Sequence, residues 1–372
     1  MRFAILVAMV GRRAGGPETY ERHLIRSLAA LDHHNEYDIL CPDTAAKEAL
    51  QLSQDNVHVR VLWPRIRQLS VALSLPVHLL TRRVDLLHAT FIPPPFSPIP
   101  YVFTMHDTSM FDHPEFYHPA HVRRLHALIS IALRRARRVV CVSKQTLTMV
   151  AERFRLPHDR LRVVYHGVES RFQPIARDEV RRRLQEELGI EWPYVLFVGQ
   201  LKTRSKNLVR LMEAFDRVRR QGHPDLRLVL VGRRGATSER LDETIHRLGI
   251  RNVLHEVGHV PTEHLPLLYN GAALLCLPSL VEGFGLPVLE AMACATPVVT
   301  SNLSCLPEIA GGAAVLVDPH SVDAIADGIH RALIDSTLRE TLREKGLQRA
   351  SLFTWERTAQ QTLEVYREVI GS

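Results

Sequence analysis

Two carboxylates, Glu282 and Glu290, bracket the stretch EGFGLPVLE, eight positions apart. A carboxylate accepts two hydrogen bonds at once, so Glu290 suits a vicinal diol such as a ribose and Glu282 the hydroxyls of a sugar ring. Between them, Gly283, Phe284, Gly285 and Leu286 read as a loop whose amides turn toward hydroxyls or phosphate. Pro287 then fits the first turn of a helix, where a missing N–H costs little. A pair of glutamates often does no more than cap a helix; the glycines, the proline and the position just after an apolar strand favour a ligand instead. Upstream, in VGQLKTRSKNLVRLMEAF, Arg204 and Lys206 lie just ahead of a helix, where cations oppose the helix dipole. A phosphate gripped by both would compensate. In GRRAGGPET, Gly15 and Gly16 permit close backbone approach of an anion to the start of a helix. The Gly-x-Gly-x-x-Gly of dinucleotide-binding turns is absent.

These residues need strands and helices to position them, and the sequence supplies both in alternation. Short apolar runs (RFAILVAM, YDILC, VDLLHAT, YVFTMH, RVVCVS) alternate with amphipathic helical patterns such as ETYERHLIRSLAAL, the rhythm of a parallel sheet. After YHGVESRFQP a second series begins: YVLFVG, LRLVLVG, NVLHEVG, ALLCLPS, TPVVTS and AAVLVDP. The expectation is an α/β protein of two Rossmann-like parallel-sheet domains facing across a cleft. Residues 1–170 form the first, joined by a C-terminal helix within 355–372, and residues 171–354 form the second. Ligands of such sheets sit beyond the C-terminal ends of the strands, where each candidate residue falls.

Composition narrows the function. A chain of 372 residues with 46% hydrophobic residues is globular and long enough for two cores. The apolar start MRFAILVAMV precedes its arginines and is too short for a membrane span, so it reads as a strand rather than a signal. Five widely spaced cysteines in apolar runs suit reduced thiols in cytoplasm, and no metal-ligand spacing occurs. The net charge of +7 resides in the first half, where residues 1–170 hold 22 Lys and Arg against 15 Asp and Glu. That excess, densest at LRRARRVV, points to an anionic partner or a membrane face, although cations ending a helix also offset its dipole.

Taken together, EGFGLPVLEAMA, the Gly-Gly after the first strand, His106-Asp107, YHGV before the linker and KNL after the phosphate loop resemble family 4 of the retaining glycosyltransferases, of GT-B fold. The resemblance covers nearly the whole chain and is closest to mannosyl- and rhamnosyltransferase-like enzymes of bacterial envelope polysaccharides, lipopolysaccharide among them. It implies that Glu290 holds the ribose, Glu282 the donor sugar, Arg204 and Lys206 the pyrophosphate, and Gly15-Gly16 the phosphates from the first domain. By the same resemblance His106 reaches the transferred sugar. Two departures stand out: Gln200 replaces a common arginine, and the phosphate loop is a residue longer than usual.

The implied reaction moves a sugar from a nucleoside-diphosphate sugar to a glycan or lipid-linked hydroxyl with retention. No Asp-x-Asp occurs, so neither a metal nor another cofactor is expected, and cations with helix N-termini must neutralise the leaving group. Front-face attack fits better than the carboxylate nucleophile of retaining glycosidases. The expected setting is cytoplasmic, peripheral at the membrane face, with no nucleic acid. The rival readings are a sugar-nucleotide epimerase of the same fold and a non-enzymatic binder of anionic surfaces.

Overall fold

The computed structural model describes residues 1–371 apart from 13, 42, 65–68, 92, 93, 95, 203, 236 and 237. It separates into two compact units, Met1–Gly167 with Thr354–Ser372, and Val168–Phe353.

The first unit holds a seven-stranded, wholly parallel sheet in the order β3-β2-β1-β4-β5-β6-β7. Its strands are β1 Arg2–Leu6, β2 Glu36–Cys41, β3 Val57–Val61, β4 Leu86–Ala89, β5 Tyr101–Met105, β6 Arg138–Cys141 and β7 Leu161–Val163. The apolar runs of the sequence supply the five central strands. The two that those runs do not announce, β3 and β7, are the edges. They are short or half-buried and carry His58, Arg60 and Arg162 among their valines, so the continuous apolar signal of a doubly covered strand is missing.

The second unit carries six parallel strands in the order β10-β9-β8-β11-β12-β13. These are β8 Tyr194–Val198, β9 Arg227–Val231, β10 Leu254–Gly258, β11 Leu274–Leu277, β12 Val298–Ser301 and β13 Val315–Val317. All six match the apolar runs. In each unit the strand order reverses beside the first strand, between β1 and β4 and between β8 and β11. Such reversal points splay the adjoining loops and open a crevice at the strand ends. The glycine pair, the phosphate loop and EGFGLPVLE follow β1, β8 and β11 respectively.

The C-terminal helix Trp355–Ile370 packs on the first unit, tied by a buried polar chain. Tyr366 Oη lies 2.6 Å from His88 Nδ1, His88 Nε2 lies 2.7 Å from Thr104 Oγ1, and Thr104 Oγ1 lies 3.1 Å from Tyr20 Oη. Burial holds His88 neutral by lowering its pKa to about 3. At the surface Glu368 accepts from Arg138 and Arg162, each at 3.0 Å. One arginine of the LRRARRVV cluster is therefore a tether, while Arg134 and Arg135 end the helix Pro119–Arg135.

The glycine of YHGV has a packing reason. A Cβ on Gly167 would lie 2.2 Å from the backbone nitrogen of Trp355, where the returning helix begins. Gly167→Ala is thus expected to lower stability by about 1–3 kcal/mol, the range for an overpacked contact. Urea titration checks it; a midpoint equal to wild type would mean the helix start yields freely.

Candidate functional site

In the second unit the loop after β8 leads into the helix Leu208–Arg220, capped by Asn207 in the left-handed conformation at φ 58°. Asn207 is buried, and its amide donates to the carbonyls of Pro278 at 3.0 Å and Pro319 at 2.6 Å. The amide of Leu280 in turn donates to Ser205 O at 2.9 Å. The phosphate loop and the loop after β11 are thereby fastened to each other, which the strand order had already made neighbours.

This fastening brings Lys206 onto Glu282: the ammonium contacts Oε1 of the carboxylate, which also accepts from Ser279 Oγ at 2.8 Å. Both side chains are mostly enclosed, with 21% and 12% of their surface exposed. The backbone of Glu282 is pinned as well, its N–H donating to Ser304 Oγ and its carbonyl accepting from that hydroxyl at 2.7 Å. Arg204 sits exposed on the same loop.

Past Glu282 and the partly exposed Gly283, Phe284 turns inward against Phe353 with ring centroids 6.1 Å apart, so its side chain is taken up by packing. Gly285 stands at φ 93°, and a Cβ there would meet Leu306 at 2.9 Å; glycine alone makes this turn. The helix Leu286–Ala293 starts there with Leu286 buried and Pro287 in its first turn. N–H groups at such a start have no carbonyl within the helix and face outward.

Glu290 lies one turn in, on the same helix. Tyr269 Oη, fully buried, donates to its Oε2 at 2.6 Å. Burial pushes the carboxyl up to about 7, with the Tyr269 hydrogen bond opposing and Glu169 reinforcing the rise. The residue keeps some exposed surface, and the Tyr269 hydroxyl holds its Oε2. Tyr269 and Ser279 were not singled out by sequence, and Asn207 entered only as part of KNL, with no role of its own. Tyr269 reads there as one more apolar helix residue, and only its reach to Glu290 gives it a role.

In the first unit Gly15 takes φ 70° and caps the helix Gly16–Leu31, with open space where a Cβ would stand. The preceding amides are occupied. Ala8, Met9 and Val10 donate to the Glu21 carboxylate at 2.7–3.1 Å, and Gly11 and Ala14 donate to Glu18 at 3.0 and 2.8 Å. Both acids, unremarked in the sequence, hold the loop after β1, and Glu18 places a negative charge in the helix's first turn. Among the described residues of this loop, five amides are thus taken up by Glu21 and Glu18, which leaves the close backbone approach at Gly15 as its open feature.

His106 follows β5, its Nε2 2.8 Å from the carbonyl of Thr90. That carbonyl only accepts, so Nε2 carries the proton and Nδ1 keeps a lone pair. Burial lowers the imidazole pKa to about 4, so at neutral pH the ring accepts hydrogen bonds rather than bearing charge. Tyr20 stands edge-on to it at 4.8 Å and His166 lies at 5.7 Å. Asp107 of the His-Asp pair accepts from the amide of Ser109 at 2.9 Å, a turn-forming contact.

Residues 180–349 match the family described as Glycosyl transferases group 1, and residues 14–172 match Glycosyltransferase Family 4. O-antigen chain mannosyltransferase B of Escherichia coli is 34% identical over 267 residues, covering 72% of this chain and 70% of its own length. The MMP alpha-(1->4)-mannosyltransferase of Mycolicibacterium hassiacum is 31% identical over 67% of this chain and 59% of its own. Among solved structures, sucrose-phosphate synthase from Thermosynechococcus elongatus superposes with a TM-score of 0.81 at 23% identity, covering 100% of this chain and 99% of that one. Anabaena HepE in complex with UDP-glucose gives 0.80 at 22% identity, covering 99% and 100%. Two Rossmann-like units of this kind are the GT-B fold.

Proposed function

The chain belongs to the group 1, family 4 glycosyltransferases, and from that premise we propose a retaining hexosyltransferase that needs no metal. It moves a mannose- or rhamnose-like sugar from a nucleoside-diphosphate sugar to a glycan or lipid-linked acceptor hydroxyl. The observation that carries this reading is the contact of Lys206 with Glu282 beside the strand-order reversal of the second unit, with Glu290 one helical turn further on. One cation and two carboxylates on fastened loops match the three parts of a sugar nucleotide: diphosphate, sugar hydroxyls and ribose.

In this reading Lys206 and Arg204 neutralise the diphosphate, helped by the helix start at Gly285 and Leu286. Oε1 of Glu290 takes the ribose diol, Glu282 takes sugar hydroxyls, Gly15-Gly16 lets the backbone approach the phosphates, and Nδ1 of His106 accepts from a hydroxyl of the transferred sugar. The bond from the anomeric carbon to the phosphate oxygen breaks as the acceptor oxygen bonds to that carbon from the same face. The acceptor proton passes to the departing phosphate oxygen. Five buried, unpaired cysteines support a cytoplasmic setting, and the arginine excess of the first unit supports peripheral contact with an anionic membrane face.

The test starts from a panel of nucleoside-diphosphate sugars and the full chain. The true donor, at 100 times its dissociation constant, should add about 2.7 kcal/mol of stability. With that donor and an acceptor, most transfer should survive EDTA, and the one-bond C1–H1 coupling at the anomeric carbon of the product should show the configuration of the donor. Abolition by the chelator, or an inverted product, overturns the mechanism.

A further inference from the structure

From Gln68 to Thr81 the chain holds no Asp, Glu, Lys or Arg. Within this segment a helix runs over Ser70–Ser74 and on into Leu75–Thr81. One face packs inward through Val71, Leu75 and Leu79. The opposite face is where an ordinary surface helix would place charges. Here it presents Leu73, Val77 and Leu80, which are 61%, 60% and 62% exposed. They are spaced four and three apart, so they share one side of the helix. Leu69 stands exposed just ahead, and Trp63, on the loop after β3, is 78% exposed. A single exposed leucine is unremarkable, but a continuous apolar stripe marks a docking surface.

The charges around the stripe select its partner. Arg82 and Arg83 follow at the helix end, both exposed. The one acid beneath the helix, Asp38, is fully buried and paired with Arg60 at 2.6 Å and His78 at 3.2 Å. The next acid along the chain, Asp85, accepts from the backbone amide of Arg2 at 2.7 Å. No helix among the described residues is long and apolar enough to cross a membrane. An apolar face ending in arginines, on the unit that carries the chain's positive excess, is the pattern of a helix lying in the headgroup layer of an anionic bilayer.

We propose that the outward face of the helix over residues 70–81, with Trp63, Arg82 and Arg83, docks this protein on an anionic lipid surface. The inference sharpens the reading of a membrane-side acceptor and rests on it for its purpose. Leu73, Val77 and Leu80 would enter the acyl boundary and the two arginines would meet lipid phosphates.

Flotation of the full chain with vesicles of phosphatidylglycerol and phosphatidylethanolamine, against phosphatidylcholine alone, tests this without any acceptor. Binding should require the anionic lipid and weaken as salt is raised. Leu73→Gln combined with Val77→Gln should lower partitioning at least about tenfold, since both apolar side chains leave the lipid. Arg82→Gln with Arg83→Gln should lower it severalfold and flatten the salt dependence. Nucleotide binding should match wild type in both variants, which keeps this result separate from the donor reading. Absence of flotation, equal binding to phosphatidylcholine, or variants that float like wild type would each overturn the proposal. So would a wild-type dimer, seen by light scattering, that Leu73→Gln with Val77→Gln converts to monomer; the stripe would then be an interface between copies.

Discussion

Glu282→Gln is expected to bind nucleoside diphosphate a few-fold more tightly than wild type while losing roughly ten- to a hundredfold in turnover. The two effects have separate causes. In the free protein the Lys206 ammonium rests on the Glu282 carboxylate, and a diphosphate must draw it away. A neutral amide holds it less, so binding gains about 0.5–1 kcal/mol, the worth of a partly exposed ion pair. Turnover falls because charge-assisted hydrogen bonds from sugar hydroxyls to the carboxylate, worth about 1.5–3 kcal/mol, are lost where they position the reacting carbon. Ser279 and Ser304 keep the loop in place without the charge, so the variant should fold. Lys206→Ala makes the opposite change. It leaves Glu282 without its cation and removes a phosphate ligand, so diphosphate affinity falls by about 1.5–3 kcal/mol while the bare nucleoside binds as before. Calorimetric titration of both variants, paired with transfer kinetics, decides the matter. Loss of diphosphate binding in Glu282→Gln would mean the carboxylate meets the nucleotide, and its assignment to the sugar would be wrong.

Some of this site was legible before any coordinate. Glycines that must turn, a proline that fits a helix start and buried strands with unbroken apolar runs are local signals, and each reads from a handful of neighbours. Gly285 stands where a left-handed turn needs it, and β11 and β12 are buried throughout, as their runs of valine and leucine require. The residues whose roles escaped notice act at long range. Tyr269 meets Glu290 across 21 positions, Asn207 spans from Pro278 to Pro319, and Glu21 reaches back to the amides of β1's exit. Nothing near Tyr269 in sequence distinguishes its hydroxyl from that of any core tyrosine. Only the packing of its helix, Leu265–Gly271, against the helix Leu286–Ala293 places the two side chains together. The helix over 70–81 escaped for another reason: a run without charges suggests burial on all sides, and only the fold reveals that Leu73, Val77 and Leu80 on one face are exposed.

Glu290→Gln should do two things that no other substitution in the site combines: weaken nucleoside and nucleoside diphosphate equally, and stabilise the free protein at alkaline pH. The first follows from the diol, which both ligands carry. The second follows from the carboxyl's displacement from 4.5 to about 7, caused first by burial and then by Glu169, against the Tyr269 hydrogen bond. The folded protein keeps a proton there that the unfolded chain releases at lower pH, so stability from this group is present below pH 4.5 and is lost as pH rises toward 7. Glutamine has no such proton to lose. The variant's unfolding free energy should exceed that of wild type by a margin that grows through that window, to an upper bound of about 3 kcal/mol, and closes again in acid, with Tm following it. Binding turns the same proton into a reporter. A ribose diol donates to the ionised carboxylate, so wild-type nucleoside affinity should fall about tenfold per unit as pH drops below 7, and Glu290→Gln should show a flat profile. Tyr269→Phe removes the hydrogen bond that favours ionisation and should move the wild-type midpoint upward. The groups facing the carboxyl are Tyr269, Glu169, itself paired with Arg171 at 2.7 Å, and Cys294, whose thiol burial keeps neutral. Burial raises the Tyr269 hydroxyl and the Cys294 thiol well above their usual ranges, so neither adds a titration near neutrality. A wild-type profile already flat across pH 6 to 8, or a Glu290→Gln protein that binds nucleoside undiminished, would remove Glu290 from the ribose.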